Sequence, residues 1–151
     1  MNIRNAARTV IVDKANKLIA LIKVRDGEYY KIPGGGVDDG ETEESAAIRE
    51  AMEESGCGIE IIDKIGEQQF VDDNKIIHRS VCFLANKVGG LEDTNFDDWE
   101  QINKMKLIWV SFDEAIELFS KVKIDDNFAS QINKRDFEFV LMAKNIIDKN
   151  I

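Results

Sequence analysis

Cysteine, histidine and proline are nearly missing from this 151-residue chain, which holds two, one and one of them respectively. Cys57 and Cys82 allow at most one bridge, and neither belongs to a Cys-x-x-Cys or Cys/His set with zinc spacing, which argues against a disulfide framework and a structural zinc site. Both are expected as buried free thiols. The lone histidine, His78, stands in a strand-like run and is read as structural rather than catalytic. Apolar runs are short, and none approaches the roughly 20 residues that a bilayer span needs. Residues 1–9 carry Arg4 and Arg8 among polar residues, without the apolar core and small-residue cleavage site of a secretory signal. No membrane partner and a cytoplasmic location are therefore expected. Basic residues are in deficit, 20 Lys and Arg against 29 Asp and Glu, for a net charge of -9. That balance disfavours long nucleic acid, whose phosphate backbone is bound by clustered Lys and Arg. It still admits a small anionic ligand if divalent cations bridge ligand and protein.

What is present suits one folded unit over residues 1–151. With 44% hydrophobic and 32% charged residues, the chain can bury a core without disulfides, and it has no repeat, low-complexity tract or linker. Apolar runs at 7–12 and 18–24 predict a hairpin, and a turn at 25–27 leads through 29–32 into Pro33-Gly34-Gly35-Gly36. A helix is bounded by Thr42 as N-cap, Glu43 and Glu44 in its first turn and Gly56 as its stop. Strands are predicted at 59–65, 68–71, 76–86 and around 107–110. Ser111 should cap a helix running to about Phe119, with Glu114 completing a capping box, and a last helix is expected from about Lys134 to Asp148. Helices on both faces of a mixed sheet, an α/β/α sandwich, is the fold class this order suggests.

The first of these helices carries the chemistry. At about 100° per residue, Ala46, Glu50, Glu53 and Glu54 share one arc, and Ala47, Ile48, Ala51 and Met52 fill the adjoining one, read as the apolar face. Glu50 with Glu53, and Glu50 with Glu54, are like-charge pairs that destabilise an isolated helix by a few tenths of a kcal/mol each. Arg49 can offset part of this by reaching Glu53. Three carboxylates on one arc beside a glycine loop match a hard divalent cation with oxygen ligands, magnesium first and manganese as a substitute. Taken alone, an acidic stripe is usually just a solvated face; the surrounding spacing argues otherwise. Gly35 is followed after five residues by Glu41, then after seven by Arg49-Glu50, then Ala51, Glu53-Glu54 and Gly56-Cys57.

This array, GGVDDGETEESAAIREAMEESGC, resembles the Nudix box; the lead-in IPGGG and the later IWVSFDEA are similar to the family as well. Ala51 and Cys57 stand where the family usually has larger aliphatics, a departure that touches packing more than chemistry. The resemblance implies Mg2+-dependent hydrolysis of a phosphoanhydride (pyrophosphate) bond in a nucleoside diphosphate linked to another moiety. Carried over, Glu53 and Glu54 are the main metal ligands, and Glu50 is a further ligand or the base. A backbone carbonyl of Gly34-Gly35 completes the shell, Arg49 orients the glutamates, and Glu41 and Gly56 are structural within the motif. From the acidic loop of Glu92, Asp93, Asp97, Asp98 and Glu100, Glu100 is chosen as an additional ligand.

Lys23 and Arg25, with Gly34 and Gly36 of the loop, are candidates to bind the substrate's phosphates. Tyr29, Phe70, Phe96 and Trp99 are candidates to stack on a base. Asp73-Asn74-Lys75 occupies the place where relatives cleaving ADP-ribose carry a proline and those cleaving dinucleoside polyphosphates a tyrosine. That leans toward a nucleoside triphosphate or another nucleotide derivative. Relatives are often dimers, so a homodimer is a further expectation. The alternative reading is a catalytically silent nucleotide-sensing or protein-binding module on the same fold.

Overall fold

The computed structural model describes residues 2–89 and 93–150. Its strands are β1 (Ile3–Asp13), β2 (Leu18–Val24), β3 (Tyr29–Lys31), β4 (Gly34–Gly36), β5 (Gly58–Val71), β6 (Ile77–Val88) and β7 (Lys106–Val110). Its helices are α1 (Glu43–Ser55), α2 (Asp98–Ile102), α3 (Phe112–Ser120) and α4 (Asn127–Lys149). The sheet runs β3-β2-β1-β6-β5, with β4 also pairing β1 and β7 pairing β2. It is mixed, since β1 and β6 run parallel from Ile3↔Ile77 to Val12↔Asn86 while the other pairs are antiparallel.

Alternation along β1 sends its side chains to two different layers. Val10 and Val12 join Ile19, Leu21, Leu84 and the buried side chains Ala115, Phe119, Phe139 and Val140 of α3 and α4. Ala7 and Ile11 face the other way, packing with Val81, Phe83 and Ala85 near Ala46, Ala47 and Ala51 of α1. The expected α/β/α sandwich is thus the observed one. The buried face of α1 is built from its small residues, so the helix sits close on the sheet. Ile48 and Met52, assigned to that apolar face from the sequence, are instead 47% and 39% exposed.

Several element boundaries differ from the sequence reading for local reasons. The runs at 59–65 and 68–71 are one strand, β5, whose break in pattern is two register shifts against β6, at Ile61/Asp63 and Lys64/Gly66. The β1–β2 hairpin holds only Val12↔Ile19 and Asp13↔Leu18; further along, β1 turns to β4 and β2 to β7 and β3. Helix α4 begins at Asn127 rather than near Lys134, because Asp126 caps it by accepting from the Phe128 and Ala129 amides. At α3 the Ser111 hydroxyl accepts from the Glu114 amide, which is half of the expected capping box.

The edge strand β3 is held from outside the sheet by α4. The Asn133 Oδ1 accepts from the Tyr30 amide at 3.1 Å and the Asp136 Oδ2 from the Ile32 amide at 3.0 Å. Asn133 also donates to the Phe119 carbonyl, tying α3 into the same clamp. Backbone donors that would otherwise be buried without acceptors are satisfied, and the chain entering the glycine segment is fixed in place.

Candidate active site

Pro33 delivers the chain into β4, where Gly34, Gly35 and Gly36 lie against Arg8, Ala7 and Ala6 of β1. Close approach explains two of these glycines. A Cβ on Gly34 would stand 2.6 Å from the Ala7 carbonyl oxygen and 2.7 Å from the Arg8 Cα, and one on Gly35 would stand 2.5 Å from the Glu50 carboxylate. The loop then turns into α1, where the Thr42 side chain accepts from the Ser45 amide, and Gly56 in the left-handed region (φ 69°) ends the helix as the sequence indicated.

Arg49 organises the exposed side of this motif. Its Nε and Nη2 donate to the two Glu41 carboxylate oxygens at 2.8 and 2.9 Å, Nη1 donates to Glu50 at 2.9 Å, and Nη2 also reaches the Gly36 carbonyl. Nη1 lies 3.5 Å from Glu53. The guanidinium therefore ties helix to loop and orients two glutamates at once. Its hydrogen bonds to Glu41, helped by the Asp38 amide, pull the Glu41 carboxyl from 4.5 down to about 2. A depressed carboxylate contributes stability that is present above its unfolded value and lost as pH falls through its folded one. The gap in denaturation midpoint between wild type and Glu41→Gln is thus expected to be constant near neutral pH and to close between about 4.5 and about 2. A gap that persisted unchanged in acid would refute this.

On the opposite side Glu54 is fully buried. Its Oε1 accepts from the Gly34 amide at 2.9 Å, and its Oε2 lies 3.6 Å from Lys31 Nζ with no hydrogen-bond donor among the described residues. Burial drives the Glu54 carboxyl far above the usual range, and Glu100 beside it pushes further in the same direction. Glu100 belongs to a short helix, α2, that the sequence reading left as an acidic loop. The signal was there as Asp97-x-x-Glu100, a capping box in which Asp97 accepts from the Glu100 amide and Glu100 Oε1 from the Asp97 amide, both at 2.8 Å. Burial raises Glu100, but the neighbouring Glu54 carboxyl and the hydrogen bond from the Asp97 amide outweigh this and hold it low. The Glu50 carboxyl is raised, first by burial and then by the nearby charges of Glu53 and Glu100, against the pull of Arg49.

Glu50 and Glu100, with Gly34, Gly35 and Gly36, line a cavity of about 640 Å³. The lining also includes residues that sequence reasoning did not assign to a site, among them Arg8, Lys31, Asp72, Ser80 and Arg135. A charged residue inside the apolar run 7–12 was the available hint for Arg8. Asn74, from the segment read for substrate signatures, and Trp99, 48% exposed, also line the cavity. His78 has the structural role expected of it, Nε2 bonded to Asp72 at 2.8 Å and the ring stacked on Phe70, and it faces the cavity as well.

Other candidates fall elsewhere. Arg25 is occupied by Asn103, Glu28 and Asp126, and Lys23 extends toward Gly27; neither is among the described residues that line the cavity. Tyr29 and Phe70 are buried in the core, and Phe96 packs against the same cluster. Asp93 and Asp98 are exposed, Asp97 is engaged as a helix cap, and Glu92 lies outside the described residues. Cys57 and Cys82 are buried free thiols.

Among the described residues no three His, Cys, Asp or Glu side chains already converge as a ligand cluster. The donor set nonetheless fits a divalent cation. It is all oxygen, the Glu54 Oε2 has no donor, and only a glycine at 35 leaves room for the Glu50 carboxylate against the loop backbone.

Comparison with known proteins agrees with this geometry. A putative 8-oxo-dGTP diphosphatase of Bacillus subtilis is 39% identical over 104 residues, covering 67% of this chain and 69% of that protein. Nudix hydrolase 4 of Arabidopsis thaliana is 32% identical over 101 residues, 66% of this chain and 46% of the relative, so this chain spans about half of its length. Among solved structures, a MutT Nudix hydrolase from Burkholderia pseudomallei matches with a TM-score of 0.60 at 25% identity, covering 75% of this chain and 86% of that one. A Nudix hydrolase from Nitrosomonas europaea shares the fold with a TM-score of 0.64 at 18% identity over 89% and 88% of the two chains. The family model described as NUDIX domain matches residues 2–132, and the chain belongs to the Nudix hydrolase family.

Proposed function

We propose that this protein hydrolyses a phosphoanhydride bond in a nucleoside diphosphate linked to another moiety, with Mg2+ as its cation and a nucleoside triphosphate or similar nucleotide derivative as its substrate. The observation that carries the reading is the fully buried Glu54, which stands beside Glu100 and whose second carboxylate oxygen has no hydrogen-bond donor among the described residues. Two carboxyl groups held together out of water call for a proton or a cation between them. Nudix hydrolases generally use divalent metals.

In this reading Glu53, Glu54 and Glu100 hold the cation, with Glu50 and the Gly35 carbonyl near it. Bound magnesium supplies neutralisation of the diphosphate's charge and makes water more acidic. Glu50, aimed by Arg49 and raised above the usual carboxylate range, takes the proton of the attacking water at its carboxylate. Lys31, 3.6 Å from Glu54 Oε2, balances part of its charge, and the bare backbone of 34–36 lets the diphosphate approach closely. Trp99 supplies an exposed ring at the cavity mouth for a base. The name of the Bacillus subtilis relative, an 8-oxo-dGTP diphosphatase, supports the triphosphate class.

The test is release of phosphate or pyrophosphate from nucleoside triphosphates, nucleotide sugars, ADP-ribose and dinucleoside polyphosphates, with magnesium, manganese or chelator. Metal-dependent cleavage of a triphosphate is expected. Magnesium should also raise the melting temperature, as any ligand of the native state does. Silence across the panel would remove the hydrolase reading.

A further inference from the structure

Arg8 sits where the mechanism above does not use it. It lies on β1 against Gly34 and lines the same cavity as Glu50 and Glu100. Nε donates to the Ser80 hydroxyl at 3.2 Å, while Nη1 is buried without any hydrogen-bond partner among the described residues. A buried N–H donor that lacks an acceptor is costly, and native proteins rarely keep one without use.

The neutral explanation is that Arg8 balances the acids around it. Those acids already have partners. Asp136 takes Arg135 Nε at 2.7 Å and the Ile32 amide, and Glu54 takes the Gly34 amide and Lys31; Arg8 hydrogen-bonds to neither. Arg135 meanwhile adds a second positive charge close enough to disfavour that of Arg8. Three arginines lining one cavity, Arg4, Arg8 and Arg135, with an unused donor on Arg8, describe a place for an anion.

We infer that the Arg8 guanidinium, with Arg135 reinforcing its field, binds a phosphoryl group of the substrate's diphosphate, the neighbour of the one held at the glutamates. Gly34 connects the two halves: its amide holds Glu54, and its missing side chain gives Arg8 room. One phosphoryl group at the glutamate cluster and the next on Arg8 orient the anhydride bond along the glycine strand. Ser80 is a positioning residue, holding Nε so that the guanidinium stays at the cavity. This inference rests on reading the cavity as a diphosphate site.

The probe is methylenediphosphonate, which has the charge of a diphosphate but no anhydride to cleave, titrated calorimetrically in chelator and again with magnesium. Wild type is expected to bind, Arg8→Met to bind about tenfold more weakly, and Arg8→Lys, which keeps the charge but loses the planar fork, to lie between them. Unchanged affinity in Arg8→Met, or no binding by wild type in either condition, overturns the inference. Should Arg8→Met fail to fold, the guanidinium resonances of Arg8 in nitrogen-labelled wild type decide the matter. They must shift as the probe is added, and their constancy during saturation overturns it equally. Because the probe is not turned over, loss of the hydrolase reading would appear in the substrate panel with probe binding intact.

Discussion

Glu53→Gln is expected to lower kcat by on the order of a hundredfold or more while leaving the melting temperature of the metal-free protein unchanged. The side chain is 37% exposed and its ion pair is a 3.5 Å approach to Arg49, so the fold loses little with the charge. What the amide removes is one anionic oxygen donor from the set that would hold the cation. The same substitution should therefore abolish most of the stabilisation that magnesium confers on wild type. Turnover at the wild-type rate would show that Glu53 is not a ligand. Glu54 is a less clean probe, because its carboxylate also anchors the Gly34 amide and faces Lys31 in the interior.

Gly34→Ala and Gly35→Ala should fail in different ways although the positions are adjacent. At Gly34 the added methyl meets backbone, the Ala7 carbonyl oxygen and the Arg8 Cα, which cannot yield without separating β4 from β1. Destabilisation of about 1–3 kcal/mol is expected in chemical denaturation, the usual range for overpacking. At Gly35 the methyl meets the end of the Glu50 side chain, which can swing aside. Stability should fall by less than at Gly34, but the carboxylate leaves the position Arg49 gives it, and kcat should drop by on the order of a hundredfold, as displacements of about 1 Å can cause. Equal loss of stability in both variants, or an active Gly35→Ala enzyme, would count against the placement of Glu50.

The helix with its caps, the glycine loop and the glutamate array were legible because each rests on near neighbours in sequence. Thr42 caps a helix three residues on, Arg49 reaches Glu50 and Glu53 on its own helix, and glycines punctuate locally. The other wall of the cavity was not legible. Arg8, Ser80 and Arg135 come together only because β1 runs parallel to β6 and α4 crosses β3, and no periodicity in a single segment encodes that pairing. Ile48 and Met52 misled because hydrophobicity was taken as burial, whereas close packing against the sheet selected the alanines. Lys23 and Arg25 are near the glycine loop in sequence but do not line the cavity.

The clamp of α4 on β3 bears on the order in which the molecule assembles. Its two hydrogen bonds join residues 103 and 104 positions apart, so the strand that leads into the glycine segment has no outer anchor until Asp136 has been synthesised and docked. Contacts of such separation form late and slowly. During synthesis α1, with caps of its own, is free to form early, while the Tyr30 and Ile32 amides wait for the last helix. A chain halted before Asp126 should accordingly leave the Tyr30 and Ile32 amides unprotected in hydrogen exchange, and full-length protein should protect both only in its slowest refolding phase. Protection of Ile32 in the halted chain would show that β3 is ordered without its clamp.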